Sequence, residues 1–280
     1  MTQIKTRQNE DMALNMQYVA RCCYNKAEIY NIIAWCLCVI SLLLIFIPES
    51  ASVFATLLLP FAVDVLAYIM VIQFNKNVFR GSRIRASFDD YVFGFCDELC
   101  LSQDLREFVL KIITKDTKQA ELQKKNTGCD HPAGVKDWYN TNSDETGLDA
   151  VFMCQKENVW WDKKMIVRKV VFLLIVTVVS VFALILPFAL YDYTSIMRLL
   201  LSSALIFRLV ERTIENIKYF KIGEKIDGKI ELISKEIHKT HIEDLQQTIN
   251  EKRALNVVGI DFIHKKCAKK LTEIFDKTKV

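Results

Sequence analysis

The stretch VFATLLLPFAVDVLAYIMVIQF, Val53–Phe74, decides what kind of protein this is. At ~1.5 Å per residue, a helix of that length crosses a hydrocarbon core about 30 Å thick. A second stretch, VVFLLIVTVVSVFALILPFALY, repeats the pattern over Val170–Tyr191, and shorter apolar runs cover Ile32–Ile47 and Ile196–Val210. Tyr30, Trp35, Tyr191 and Tyr193 extend the shorter runs with rings suited to the headgroup region. Working outward from Val53–Phe74, the runs fall into two pairs, each joined by a short link. The expected fold is mainly α, an integral membrane protein with four transmembrane helices as two hairpins.

Composition agrees. The chain is 51% hydrophobic, above the usual share for a soluble domain, and its apolar residues are clustered rather than periodic. The first run begins near residue 30, has no small-residue cleavage pattern and is followed at once by a second span, which excludes a cleaved signal peptide.

Basic residues fix the expected orientation. The links Pro48–Ser52 and Asp192–Ser195 contain neither Lys nor Arg. Lys5, Arg7, Arg21 and Lys26 precede the first run, and Lys76, Arg80, Lys163 and Lys164 flank the segment between the hairpins. Arg208, Arg212, Lys218 and Lys221 lie at or beyond the end of the fourth run. By the positive-inside rule, both termini and the central segment face the cytoplasm.

The expected organisation is a cytoplasmic amino-terminal segment (1–29), a first hairpin (30–74), a helical cytoplasmic sensing segment (75–166), a second hairpin (167–211) and a cytoplasmic carboxy-terminal region (212–280). Within the central segment, Leu105, Val109, Ile112 and Ile113 predict a helix over Ser102–Lys125 with Ser102 as its N-cap, and Leu148–Lys163 predicts another. Gly128, Pro132 and Gly134 mark a loop over Thr127–Thr146. Within a long, charged helical pattern over Glu211–Lys252, Ile226, Ile230, Ile233 and Ile237, then Ile242, Leu245 and Ile249 after a skip, predict a carboxy-terminal amphipathic helix or short coiled coil. It packs on its own cytoplasmic unit or on a neighbouring subunit.

Four polar residues of the apolar runs stand out. Asp64 costs at least ~2.5 kcal/mol at mid-membrane unless it faces protein or water. Counted from the outer ends, Asp64 and Arg208 fall within about 3 Å in depth, so an ion pair between helices two and four is expected. It serves packing or a pore. Arg198 and Ser202 share a helix face, where they line an aqueous path or, alternatively, Arg198 snorkels to headgroups while Ser202 allows close helix approach.

Enzyme signatures are missing: there is no G-x-x-x-x-G-K, G-x-S-x-G or H-E-x-x-H, so no catalytic residue is assigned. Nine cysteines include no C-x-x-C, and Cys96 and Cys100 lack further ligands. His238 and His241 read as solvated. Neither a metal nor any other cofactor is expected.

Arg80-Gly81-Ser82-Arg83-Ile84-Arg85-Ala86-Ser87-Phe88-Asp89-Asp90-Tyr91-Val92-Phe93 follows the second span. Asp137-Trp138-Tyr139 and Cys154-Gln155-Lys156-Glu157-Asn158-Val159-Trp160-Trp161-Asp162 come later. In this order between two hairpins, these segments resemble the S-4TM family, the four-helix membrane effectors associated with bacterial cyclic-oligonucleotide synthases. Where that family commonly continues into a Leu-Pro-Trp-like turn, this chain has Gly94-Phe95-Cys96-Asp97.

The resemblance implies a membrane-disrupting, pore-forming effector of anti-phage defence in the bacterial inner membrane, causing abortive infection. Its partners would be a cyclic oligonucleotide messenger from a nucleotidyltransferase, the lipid bilayer and further copies of itself, with no DNA or RNA polymer. Messenger-binding residues would be Arg83, Arg85, Trp138, Tyr139, Gln155, Asn158 and Trp161. Arginine forks suit phosphates and indole faces stack on bases; equally, Trp160 and Trp161 suit an interfacial belt, and the arginines suit anionic lipid. Two rival functions are a membrane-anchored interaction scaffold and a constitutive small-ion channel or transporter. Pro60 and Pro187 lie towards the outer ends, away from the mid-membrane helix breaks that transporters use.

Overall fold

The computed structural model describes residues 4–44, 47, 52, 54, 58–139, 147–190, 203–255 and 257, without the side chains of 161–170, 172–173, 183–190, 203–204 and 206. Among the described residues the chain is helical and has no strand. Its helices are α1 Ile4–Arg7, α2 Asp11–Leu43, α3 Leu59–Val92, α4 Gln103–Lys115, α5 Thr117–Lys125, α6 Leu148–Leu190, α7 Ser203–Ile233 and α8 Lys239–Ala254. Two of them, α2 and α3, are long and apolar enough to cross a membrane among the described residues. With 33 and 34 residues, they reach ~50 Å, well beyond a hydrocarbon core of about 30 Å. The apolar run that begins at Val170 lies within α6, which ends at Leu190. Residues 48–51 and 191–202, on which the hairpin expectation depends, lie outside the described residues.

The chain divides into two units. Unit one comprises Met1–Asn25, Asn77–Lys163 and Lys221–Asn256. Its core is a conventional one, with Met16, Tyr18, Ile84, Phe88, Val109, Val151, Ile226, Ile242 and Leu245 among its buried members. Removing such side chains from water contributes roughly 1.5–3 kcal/mol each. Gly81 permits the approach of α2 to α3 here: a Cβ at this position would lie 3.2 Å from that of Cys23. The isoleucines of the carboxy-terminal helices face this same core. Ile226 and Ile233 on α7, with Ile242, Leu245 and Ile249 on α8, are all buried within unit one. The skip between Ile237 and Ile242 coincides with the break between those helices.

Two local expectations need correction. Ser102–Lys125 is two helices, because Asp116 leaves helical geometry (φ −136°, ψ 52°) and its carboxylate accepts a 3.3 Å hydrogen bond from Tyr18. Ser102 occupies the N-cap position of α4, but its side chain makes no capping bond.

Residues 126–139 form a loop tied down at several points. Gly134 N–H donates to the Thr127 carbonyl at 2.6 Å, and the Asn126 side chain donates to the Pro132 carbonyl at 2.8 Å. Arg21 on α2 donates to the carbonyls of Ala133 and Gly134 at 2.7 and 2.8 Å. Buried Gln8 closes the far end with a two-way pairing to the Tyr139 backbone at 2.8 and 3.2 Å. These bonds set where Trp138 and Tyr139 stand.

Unit two, Lys26–Lys76, Lys164–Phe220 and Val257–Val280, reverses the usual distribution of polarity. Ile32, Val39, Phe61, Tyr68, Ile72, Ile175, Val179 and Phe182 are exposed, whereas Ser41, Ser180, Arg208, Arg212 and Asn216 are buried. An apolar exterior of this extent suits lipid, and polar groups turned inward avoid it.

Candidate functional site

Unit one is organised around Asp89, which lies near the end of α3 and is fully buried. A buried carboxylate is expensive unless charge and hydrogen bonds reach it. Four side chains from three elements supply them. Tyr139, from the loop, donates to Asp89 Oδ1 at 2.6 Å. Gln246, on α8, donates to Oδ2 at 3.1 Å, and the Arg253 guanidinium pairs with the same oxygen. Arg85 Nε stands 3.8 Å from Oδ1 along α3.

A second ring of amides holds these groups. Asn158 on α6 donates to the Tyr139 hydroxyl at 3.2 Å. Gln155, also on α6, donates to Gln246 at 3.0 Å and to the Ile242 carbonyl at 3.1 Å. Arg85 donates to Gln17 on α2 at 2.5 Å, and its guanidinium lies 3.9 Å from the centre of the Trp138 ring. Burial and the neighbouring Asp89 charge push the Tyr139 phenol up, so it stays a donor. Burial opposes the Arg253 charge, but Asp89 outweighs it and pushes the guanidinium pKa up.

Beside this hub opens a cleft of about 270 Å³ lined by Asp90, Phe95, Cys96, Glu243, Gln246, Gln247 and Asn250. Gln246 belongs to both, since its amide also donates to Asn250 at 3.1 Å. The segment 94–97 supplies Phe95 and Cys96; Gly94 has φ 75°, a left-handed turn conformation suited to glycine. Burial and the adjacent Asp89 charge push the Asp90 carboxyl up to about 6, against a hydrogen bond from Asn250. The cleft therefore presents carboxylates, amides and one aromatic ring, a set that accepts N–H donors. Among the described residues, no three His, Cys, Asp or Glu side chains converge to hold a metal.

Of the seven residues expected to bind a messenger, Arg85, Trp138, Tyr139, Gln155 and Asn158 meet in the Asp89 network. Tyr139 and Gln155 are buried there, Arg85 and Asn158 are half-buried, Trp138 is exposed, and all five are engaged with protein partners. Arg83 is elsewhere, exposed, with its guanidinium 5.6 Å from the Phe79 ring centre. The side chain of Trp161 lies outside those described. Sequence reasoning passed over Asp89, Gln246 and Arg253. The first stood in plain view within the quoted Arg80–Phe93 stretch, but no local signal joins it to α8.

In unit two, Arg208 and Asp64 each have partners other than one another. Arg208 donates to Asn31 Oδ1 at 2.7 Å, and its guanidinium lies 5.0 Å from the Trp35 ring centre. The Ser41 hydroxyl hydrogen-bonds the Asp64 carboxylate. The expected Asp64–Arg208 pair is therefore not formed. Depth along a helix fixes only one coordinate, and rotation about the axis places Asn31 and Trp35, one turn apart on α2, against Arg208. Arg198 and Ser202 lie outside the described residues.

A helical chain with one apolar-surfaced unit and one polar-hubbed unit has the make-up of a membrane-associated protein. The profile of the SMODS-associating 4TM effector domain matches residues 2–279, and the chain belongs to that family. No curated protein and no solved structure matches it.

Proposed function

We propose that this protein is a membrane-disrupting effector of anti-phage defence, activated by a cyclic oligonucleotide from a partner nucleotidyltransferase. It has no enzymatic step of its own. The observation that carries the reading is helix continuity. One helix, α3, bears both Asp64 and Asp89, and another, α6, bears Gln155, Asn158 and the apolar run from Val170. Groups proposed to sense and groups proposed to meet lipid thus lie along the same two helices.

In this reading, segments 1–29, 75–166 and 212–280 are cytoplasmic, and 30–74 and 167–211 are the two hairpins of an inner-membrane protein. A base edge bearing N–H donors enters the cleft at Asp90, while exposed Arg83 and Trp138 offer a phosphate contact and a stacking face. Gln246 passes the change to Asp89 and Gln155. Four helices from one chain do not enclose a wide path, so activation is assembly of several copies. The messenger must favour the active assembly by about 5.5 kcal/mol to invert a 1:99 population.

Dye leakage from liposomes carrying the purified protein, across a panel of cyclic di- and trinucleotides, tests this. Leakage triggered by one member is the expected result. Leakage without a messenger would assign a constitutive channel. None with any member, from folded and inserted protein, would assign a scaffold.

A further inference from the structure

The interior of unit two holds a buried guanidinium whose donors its described neighbours meet only in part. Arg208 is 3% exposed and spends one donor on Asn31. Its Nε and Nη1 are buried with no hydrogen-bond partner among the described residues. Arg212, one turn further along the same face of α7, is 5% exposed, with its guanidinium 4.7 Å from the Phe74 ring centre. The acids acting on Arg212 are Glu211, 3.6 Å away, and Glu215. Asp64 is engaged with Ser41.

A guanidinium does not shed its proton, so Arg208 keeps its charge wherever it is placed. Two unmet donors on a buried cation are costly, and the enclosure decides what can meet them. At 3% exposure, neither a lipid headgroup nor a nucleotide reaches those nitrogens. Trp35 covers the guanidinium with a ring face, which offers no acceptor lone pair. What fits is a small acceptor with negative charge.

We propose that Arg208 Nε and Nη1 bind a small inorganic anion of the chloride class, and that the path opened by these helices passes anions in preference to cations. The second half rests on the membrane-permeabilising function proposed above; the site itself does not. Arg208 supplies the charge, Asn31 fixes its orientation, and Arg212 adds to the positive field without being required as a ligand.

The first experiment is thermal denaturation of the full chain in detergent, comparing chloride, bromide and nitrate with gluconate at matched ionic strength. The expected result is a saturable rise in Tm with each small anion, absent with gluconate. The native chain alone suffices for this readout. Arg208→Gln is expected to lose the rise, and Arg208→Lys, which keeps the charge but not the fork, to weaken it. Equal Tm in chloride and gluconate would overturn the site and leave water to satisfy Arg208.

The second experiment compares chloride and potassium flux in liposomes under an activating messenger, where a severalfold preference for chloride is expected. Flux without preference, or favouring potassium, would overturn the selectivity. A saturable Tm rise without leakage under any messenger would uphold the anion site and refute the permeabilising function instead.

Discussion

Asp89 near the end of α3 and Arg253 near the end of α8 are bound to each other through Oδ2 and Nη1, although 164 positions separate them in the chain. Asp89 is fully buried and Arg253 is 19% exposed at its side chain. Removing one member leaves the other charge without its main partner, which costs about 3–5 kcal/mol in buried pairs. Arg253→Gln and Asp89→Asn are each expected to lower the Tm of the purified protein sharply. Combining Asp89→Asn with Arg253→Gln should recover part of the loss, because no uncompensated carboxylate remains. Additive effects in that double-mutant cycle would mean that the two residues are not coupled.

The cleft carboxyl gives a pH signature. Asp90 titrates near 6, above its ordinary value, because of burial and Asp89. The other charged or titratable groups around it are Glu243 and Arg253 on α8 and Cys96 in the loop. Between about 4 and 6 the folded state therefore binds more protons than the unfolded state, and stability falls as pH rises through that window. The open cleft screens the effect to no more than about 2 kcal/mol. Asp90→Asn should flatten the Tm–pH profile and raise Tm at neutral pH. An unchanged profile would show that another group causes the slope.

Gly134 is where the loop admits no side chain. A Cβ there would lie 1.8 Å from the Asn126 carbonyl oxygen and 2.5 Å from that of Gln123, both backbone atoms. Backbone cannot swing aside, so Gly134→Ala must displace the loop and the Arg21 bonds that hold it. Overpacking of this kind costs about 1–3 kcal/mol. Faster proteolysis within 126–139 and a lower Tm are expected. Gly128, which has open space around it, is the control: Gly128→Ala should leave both unchanged.

The sequence made the helices legible because lipid-facing helices need long apolar runs and core-facing helices need periodic ones. Ile226 through Ile249 announced a buried face, but the single helix expected there is two, with the break falling at the skip after Ile237. Where α4 ends was hidden, since Asp116 breaks the helix through a tertiary bond to Tyr18 rather than through Gly or Pro. The site was half visible. Trp138, Tyr139, Gln155 and Asn158 stood out in motif-like segments and do converge, but on a buried carboxylate rather than on an open pocket. Gln246 and Arg253 carry no local signal in the sequence, and only folding brings them to Asp89. The Asp64–Arg208 expectation failed for a related reason: rise per residue gives depth, whereas pairing also needs the helix's rotation.

Gln246 decides whether the hub is a latch or merely a foundation. Its amide donates to Asp89 and Asn250 and accepts from Gln155, so it ties α3 and α6 to α8 at the edge of the cleft. Gln246→Glu keeps the shape but replaces the donating NH2 with an acceptor facing the buried Asp89 carboxylate. Like charges at that distance repel strongly in a poorly solvated site. If the hub restrains the membrane helices, the variant should leak dye from liposomes without any messenger. Gln246→Leu, which removes the bonds without adding charge, should leak less and respond to lower messenger concentrations. Vesicles that stay tight with both variants, together with an unchanged messenger response and a lowered Tm, would show that Gln246 holds unit one together and transmits nothing. Leakage from the Glu variant alone, in a protein whose Tm remains above the assay temperature, separates a released latch from simple unfolding.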